Sequence, residues 1–121
     1  MPINEHKVPA TLQSAVDLII EGLDPEEITY IKTEDSATSQ HFGVGRWLRN
    51  NWDLWDEEMP LQVWFRTNLG LGHADDISSI ILDAVWCRIR GETYDLDSQV
   101  MQYKIHWLNE GIDPKTQERI N

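Results

Sequence analysis

The sequence predicts an all-α fold: one domain of about five or six short helices, packed as an irregular bundle. Three observations carry this. Apolar residues recur at steps of three and four through most of the chain, the period of a helix face. Capping residues, prolines and glycines punctuate these runs in the order that starts and stops helices. No stretch shows the apolar–polar alternation of a strand, and no repeat, linker or low-complexity tract divides the 121 residues. At 40% hydrophobic and 26% charged, the composition is that of one globular domain with a core of its own.

Residues 1–10 read as irregular, because Pro2 and Pro9 block regular structure. Thr11 is placed to cap a helix whose inner face is Leu12, Ala15, Val16, Ile19, Ile20 and Leu23. Asp24-Pro25-Glu26-Glu27 opens a second helix. Asp24 caps, Pro25 suits the first helical position, and Glu27 stands where a capping box needs it. Ile28 and Ile31 form its inner face. Thr33 to Gln40 is polar and acidic, a loop or a first turn.

The stretch His41 to Trp55 is the centre of the chain and holds three of its six tryptophans. Val44, Leu48, Trp52 and Trp55 make one helical stripe that Trp47 widens, with Arg46, Arg49, Asn50 and Asp53 on its flank. Gly43 and Gly45 each cost a helix roughly 1 kcal/mol relative to alanine. They imply close backbone packing, or a helix that begins only near Gly45.

Pro60 opens the next helix, with Leu61, Trp64, Phe65 and Leu69 inward, and Gly70-Leu71-Gly72 ends it. Asp75 or Asp76 then caps a helix whose core face is Ile77, Ile80, Ile81, Ala84, Val85 and Ile89. Its β-branched residues also suit a buried strand over 77–85, but the cap, the period and the length favour helix. Gly91 stops it. Asp97 is placed to cap a last helix, with Met101, Ile105 and Leu108 inward and Tyr103 and Trp107 flanking. After Gly111, residues 112–121 read as a polar tail, free to fray.

The net charge of −11 argues against direct nucleic-acid binding and against anionic membranes, both of which need clustered cations. No apolar run reaches the ~20 residues of a membrane span, and the N-terminus lacks a signal-peptide pattern. A cytoplasmic protein is expected. The single cysteine, Cys87, is expected as a buried, reduced thiol. Residues 1–45 carry eight acids against two bases, whereas five of the six arginines lie within residues 46–90. That middle segment is where an anion would be held.

The sequence has no Walker-type loop, dinucleotide fingerprint, zinc-spaced cysteines or nucleophile elbow, so no cofactor and no metal is expected. Three groups remain. Arg46 and Arg49, three apart on one helix side, suit a carboxylate or phosphate; equally, Asp53 lies four residues beyond Arg49 for a local salt bridge. His73, Asp75 and Asp76, with His41, hold the residue types of an acid–base or mixed metal site, though capping explains the aspartates as well. The tryptophans pack a core, and any that faces outward is an interface anchor; Trp47, beside Arg46, is the first candidate.

Two blocks then stand out. They are His41-Phe42-Gly43-x-Gly45-x-x-Leu48-Arg49-Asn50-x-Trp52-x-Leu54-Trp55 and His73-x-Asp75-Asp76-x-Ser78-x-x-Ile81. Together they resemble a family of small bacterial and phage proteins catalogued as a domain of unknown function, over about residues 10–90. The resemblance implies a helical fold. It also implies that His41, Arg49, Asn50, His73, Asp75, Asp76 and Ser78 gather into one cluster. It supplies no activity. Ala74 stands where the family more often has proline, which bears on the loop and not on the cluster.

The expected function is therefore that of a small acidic protein-binding module, an inhibitor, immunity or accessory factor, steered to a partner with a basic surface. Arg46, Trp47, Arg49 and Asn50 would be its binding residues. The alternative is a small-ligand-binding or hydrolytic protein, with His41, His73, Asp75 and Asp76 as catalytic candidates. A third possibility is that the cluster is a buried polar network that fixes the helices.

Overall fold

A computed structural model describes residues 8–33 and 46–120 of the chain, and of Arg46 the backbone only. The fold is all-α and single-domain, with six helices among the described residues: α1 (Leu12–Gly22), α2 (Pro25–Thr33), α3 (Arg46–Asn51), α4 (Pro60–Leu69), α5 (Ala74–Arg90) and α6 (Leu96–Asn109). The 17-residue α5 is the central member and packs against all five others. Its sequence explains this, because Ile77, Ile80, Ile81 and Val85 are buried along one side while Leu82 and Trp86 bury a second. A helix apolar on more than one face must be covered on more than one face. The strand alternative for 77–85 is not realised.

The caps on α1 and α2 form as the sequence predicts. Thr11 and Ser14 make a reciprocal capping box at the start of α1. Asp24 Oδ1 accepts from the Glu27 N–H at 2.8 Å, while Glu27 Oε1 accepts from the Asp24 N–H at 3.1 Å. Each such cap stabilises its helix by about 1 kcal/mol. Pro60 opens α4, and Gly70 closes it in the left-handed conformation, φ 69°.

Four expectations about the helices and their faces are corrected. The first concerns the central stripe, of which Val44 lies outside the described residues. Leu48 and Trp52 are buried, but α3 stops at Asn51 and Asp53 turns into the left-handed region, φ 47°. The helical phase is lost there, so Leu54 goes inward and Trp55 is left 58% exposed. The second concerns α5, whose cap is His73 and neither aspartate: its ring accepts from the Asp75 N–H. The third concerns α6, which is capped by Asp95 instead of Asp97 and so begins earlier, with Asp95 Oδ1 accepting from the Ser98 N–H at 3.1 Å.

The fourth is the largest. Met101, Ile105 and Leu108 point outward, at 57%, 51% and 54% exposure. The helix has two apolar stripes, and the other one, Leu96, Val100, Tyr103 and Trp107, faces the body of the protein. Hydrogen bonds decide between them. The Trp107 indole N–H donates to Asp76, and Gln99 Nε2 donates to both Asp83 and the Tyr103 hydroxyl. The aliphatic stripe has no such handles.

Residues 112–120 are not a loose tail but fold back onto the body of the protein. Ile112 and Arg119 form a β-bridge, the Ile120 N–H donates to the Gly111 oxygen, and the buried Pro114 accepts from the Gly72 N–H at 2.9 Å. Gly72 is glycine for lack of room: a Cβ there would lie 2.1 Å from the Lys115 carbonyl oxygen. Gly72→Ala is therefore expected to push the C-terminal segment away. Hydrogen exchange at the Gln117 and Ile120 amides should accelerate while α1 amides keep their protection. Unchanged exchange at both positions would show that the segment tolerates the extra carbon.

Candidate functional site

Three elements converge at the start of α5. Helix α3 brings Arg49, the turn after α4 brings His73, and α5 itself supplies Asp75, Asp76 and Ser78. The Arg49 Nη1 donates to the Ser78 hydroxyl at 2.9 Å, and its Nε lies 3.3 Å from Asp75 Oδ1. The Ser78 hydroxyl, itself 1% exposed, donates to the Asp75 main-chain oxygen at 3.0 Å. The Asp75 N–H donates to His73 Nδ1 at 3.1 Å. Helix α6 closes the set, for Trp107 Nε1 donates to Asp76 Oδ2 at 2.7 Å.

The His73 ring lies between two indoles. Trp107 stacks on it at 5.0 Å and 26°, and Trp55 meets it edge-on at 5.3 Å and 75°. These contacts fix the imidazole orientation, and the cap fixes its tautomer. Nδ1 accepts from a backbone N–H, so the proton of the neutral ring sits on Nε2. The Asp75 carboxylate is 3.9 Å from Nδ1, but in a dyad it would need a proton on the nitrogen that the cap keeps as an acceptor. It meets Arg49 instead. The arrangement is thus a polar lock between helices more than an acid–base pair.

Asp76 is the group most altered by this environment. Burial pushes its carboxyl above the ordinary aspartate range, and the Asp75 charge adds to the rise. The Trp107 hydrogen bond and the nearby His73 and His106 oppose it. Cys87, half-buried on α5, also has its thiol pushed up, chiefly by burial and then by Glu92 and Asp83. A raised thiol carries little thiolate at neutral pH.

Arg49, His73, Asp75, Asp76 and Ser78 therefore come together. Asn50 is exposed and joins none of these bonds among the described residues. Trp47 is half-buried, with its ring 6.1 Å from that of Trp52. Arg49 pairs with Asp75, not with Asp53, which the left-handed turn carries off the helix. His41 and the Arg46 side chain lie outside the described residues. Among the described residues, no group of three or more His, Cys, Asp or Glu side chains could hold a metal ion. None of the described helices is long and apolar enough to cross a membrane.

Beside His73 a cleft of about 160 Å³ opens between Trp55, Arg66 of α4 and the C-terminal residues Lys115 to Gln117. The sequence reading missed it, because the supposed tail forms one wall.

A family model described as a domain of unknown function (DUF6794) matches residues 8–89. The chain belongs to this family. The matched stretch includes α1 to α4, nearly all of α5, and the Arg49–Ser78–Asp75–His73 bonds. It stops before α6 and the C-terminal segment. No curated protein and no solved structure matches the chain.

Two predictions test the lock. Arg49→Ala removes the donor to the buried Ser78 hydroxyl and the ion pair with Asp75, and is expected to cost about 1–3 kcal/mol in urea unfolding. Arg49→Lys should recover only part, since one ammonium replaces a two-armed fork. Asp76→Asn keeps an oxygen for the Trp107 N–H and removes the carboxyl that burial disfavours. A raised folded pKa means that the native state binds the extra proton, so wild-type stability falls as pH rises from the ordinary carboxylate range, about 4, through the raised value. Thermal melts of the Asn variant should decline less over that window and match or exceed wild type at pH ~7. An equal loss at every pH would contradict this origin.

Proposed function

We propose that this protein acts by docking onto another protein, through the outer face of α6. The observation that carries this reading is the row Met101, Ile105 and Leu108, each more than half exposed on a helix whose opposite side is already packed. Ile120, 49% exposed, extends the row beyond the helix end, where its N–H bonds Gly111. Single exposed aliphatics are ordinary, but three at helical spacing form a ridge. Such a ridge suits a partner with an apolar groove or helix face.

The chain's charge of −11 supports a partner that surrounds its apolar contact with Lys and Arg. Long-range attraction then steers the encounter and raises the association rate. An inhibitor, an immunity protein or an accessory subunit works in this way, by occupying a partner. The arginine side of the molecule is a weaker docking candidate, since the Arg49 guanidinium already holds Ser78 and Asp75.

The test is capture of a partner by wild type, Ile105→Glu and Trp55→Ala at low and high salt. The expected result is one stoichiometric protein that wild type and Trp55→Ala retain at low salt, that high salt releases, and that Ile105→Glu loses. The Ile105 side chain is solvent-facing, so the melting temperature should barely change. A partner held equally by Ile105→Glu would exclude this face.

A further inference from the structure

We infer that the cleft between Trp55 and the C-terminal segment is a binding site for an α-carboxylate that carries an adjacent N–H. Such a group occurs in a free amino acid and in the C-terminal residue of a peptide. The site is separate from the α6 ridge.

The first argument is charge. Arg66 and Lys115 both line the cleft, and among the described residues neither meets a carboxylate. Arg66 donates only to main-chain oxygens, those of Gln62 and Glu57. In a chain with 21 acids and 10 bases, a cleft lined by two cations that pair with no acid among the described residues, against the single carboxylate of Glu57, is unexpected. A guanidinium and an ammonium together suit a carboxylate.

The second argument is an orphan acceptor. Gln62 also lines the cleft and is 2% exposed. Its Nε2 donates to the Leu54 and Gly72 oxygens, which fixes the amide orientation and leaves Oε1 as the free end. Oε1 is buried, and among the described residues it accepts from nothing. A buried acceptor left without a partner costs about 1–3 kcal/mol, which a ligand N–H brought within hydrogen-bond distance of it would relieve.

The third argument is shape. Trp55, 58% exposed, offers an aromatic wall for an apolar side chain. At about 160 Å³ the cleft is below the ~300–1,000 Å³ of sites for drug-sized ligands. It fits one residue, not a cofactor. The wall opposite Trp55 is held by the contact of Gly72 with Lys115 and Pro114. Glu57 is the remaining charged side chain of the lining, and its carboxylate would favour an ammonium.

The test is a calorimetric or NMR titration of the full chain with leucine, N-acetyl-leucine, N-acetyl-leucinamide and inorganic phosphate. One of the two carboxylates should bind, and the carboxamide should not. Lys115→Glu and Trp55→Ala should each weaken binding about tenfold or more, in line with the loss of a contact to a charged group or a stacked wall. Both side chains are exposed, so both variants should fold, as melting curves would confirm. Tighter binding of leucine identifies a free amino acid as the ligand; tighter binding of N-acetyl-leucine identifies a peptide terminus. Equal binding of the carboxamide, equal binding of phosphate, or no binding of either carboxylate at millimolar concentration overturns the inference.

Discussion

The first turn of α5 buries polar groups in the middle of the protein, and the rest of the structure depends on satisfying them. Ser78 and Asp76 are 1% and 7% exposed, in a turn that also inserts Ala74 and Ile77 into the core. Left without partners, they would cost more than a typical side-chain contact contributes. The partners come from two different elements, Arg49 of α3 and Trp107 of α6. One helical turn therefore fixes the position of both neighbours. It also settles which of two apolar stripes on α6 is buried, and so which is offered to solvent.

Local chemistry was legible where it decides structure locally. The caps at Thr11 and Asp24, the proline start of α4 and its glycine stop all act within a few residues, and the structure realises each. The cap of α5 is ambiguous in the sequence, because Gly72-His73-Ala74-Asp75-Asp76 offers His73, Asp75 and Asp76 as caps. Only the packing of the imidazole between Trp55 and Trp107 selects His73. Likewise, Arg49 and Asp53 have the spacing of a helical ion pair, but the helix ends before Asp53. The pair that forms instead joins residues 49 and 75.

The candidate site was half legible for a related reason. The motif residues Arg49, His73, Asp75, Asp76 and Ser78 do gather, as the two sequence blocks suggest. The groups that give the cleft its character, Gln62, Arg66 and Lys115, belong to no motif. Lys115 reaches it only because the C-terminal segment folds back over a glycine. A long polar stretch after the last helix gives no sign of such a return. The outcome is a division within the molecule. Among the described residues, the most recognisable ones are spent on internal bonds, while the surfaces we propose for binding lie on α6, the C-terminal segment and the exposed Trp55.

The far end of α5 has a different consequence. Arg88 pairs with Asp17 of α1 across 71 residues of sequence, and Arg90 donates to the Ile31 oxygen of α2 across 59. The buried side of α1 likewise rests on α5, to which α2 is also packed. On the ribosome, the first two helices emerge long before the surface that covers them. The apolar stripe of α1, Ala15, Val16 and Ile19, must wait, uncovered, until α5 has been made. Such an interval exposes a nascent chain to chaperones and to aggregation. The polar outer residues of α1, Gln13, Ser14, Asp17 and Glu21, limit that hazard while the central helix is still being made.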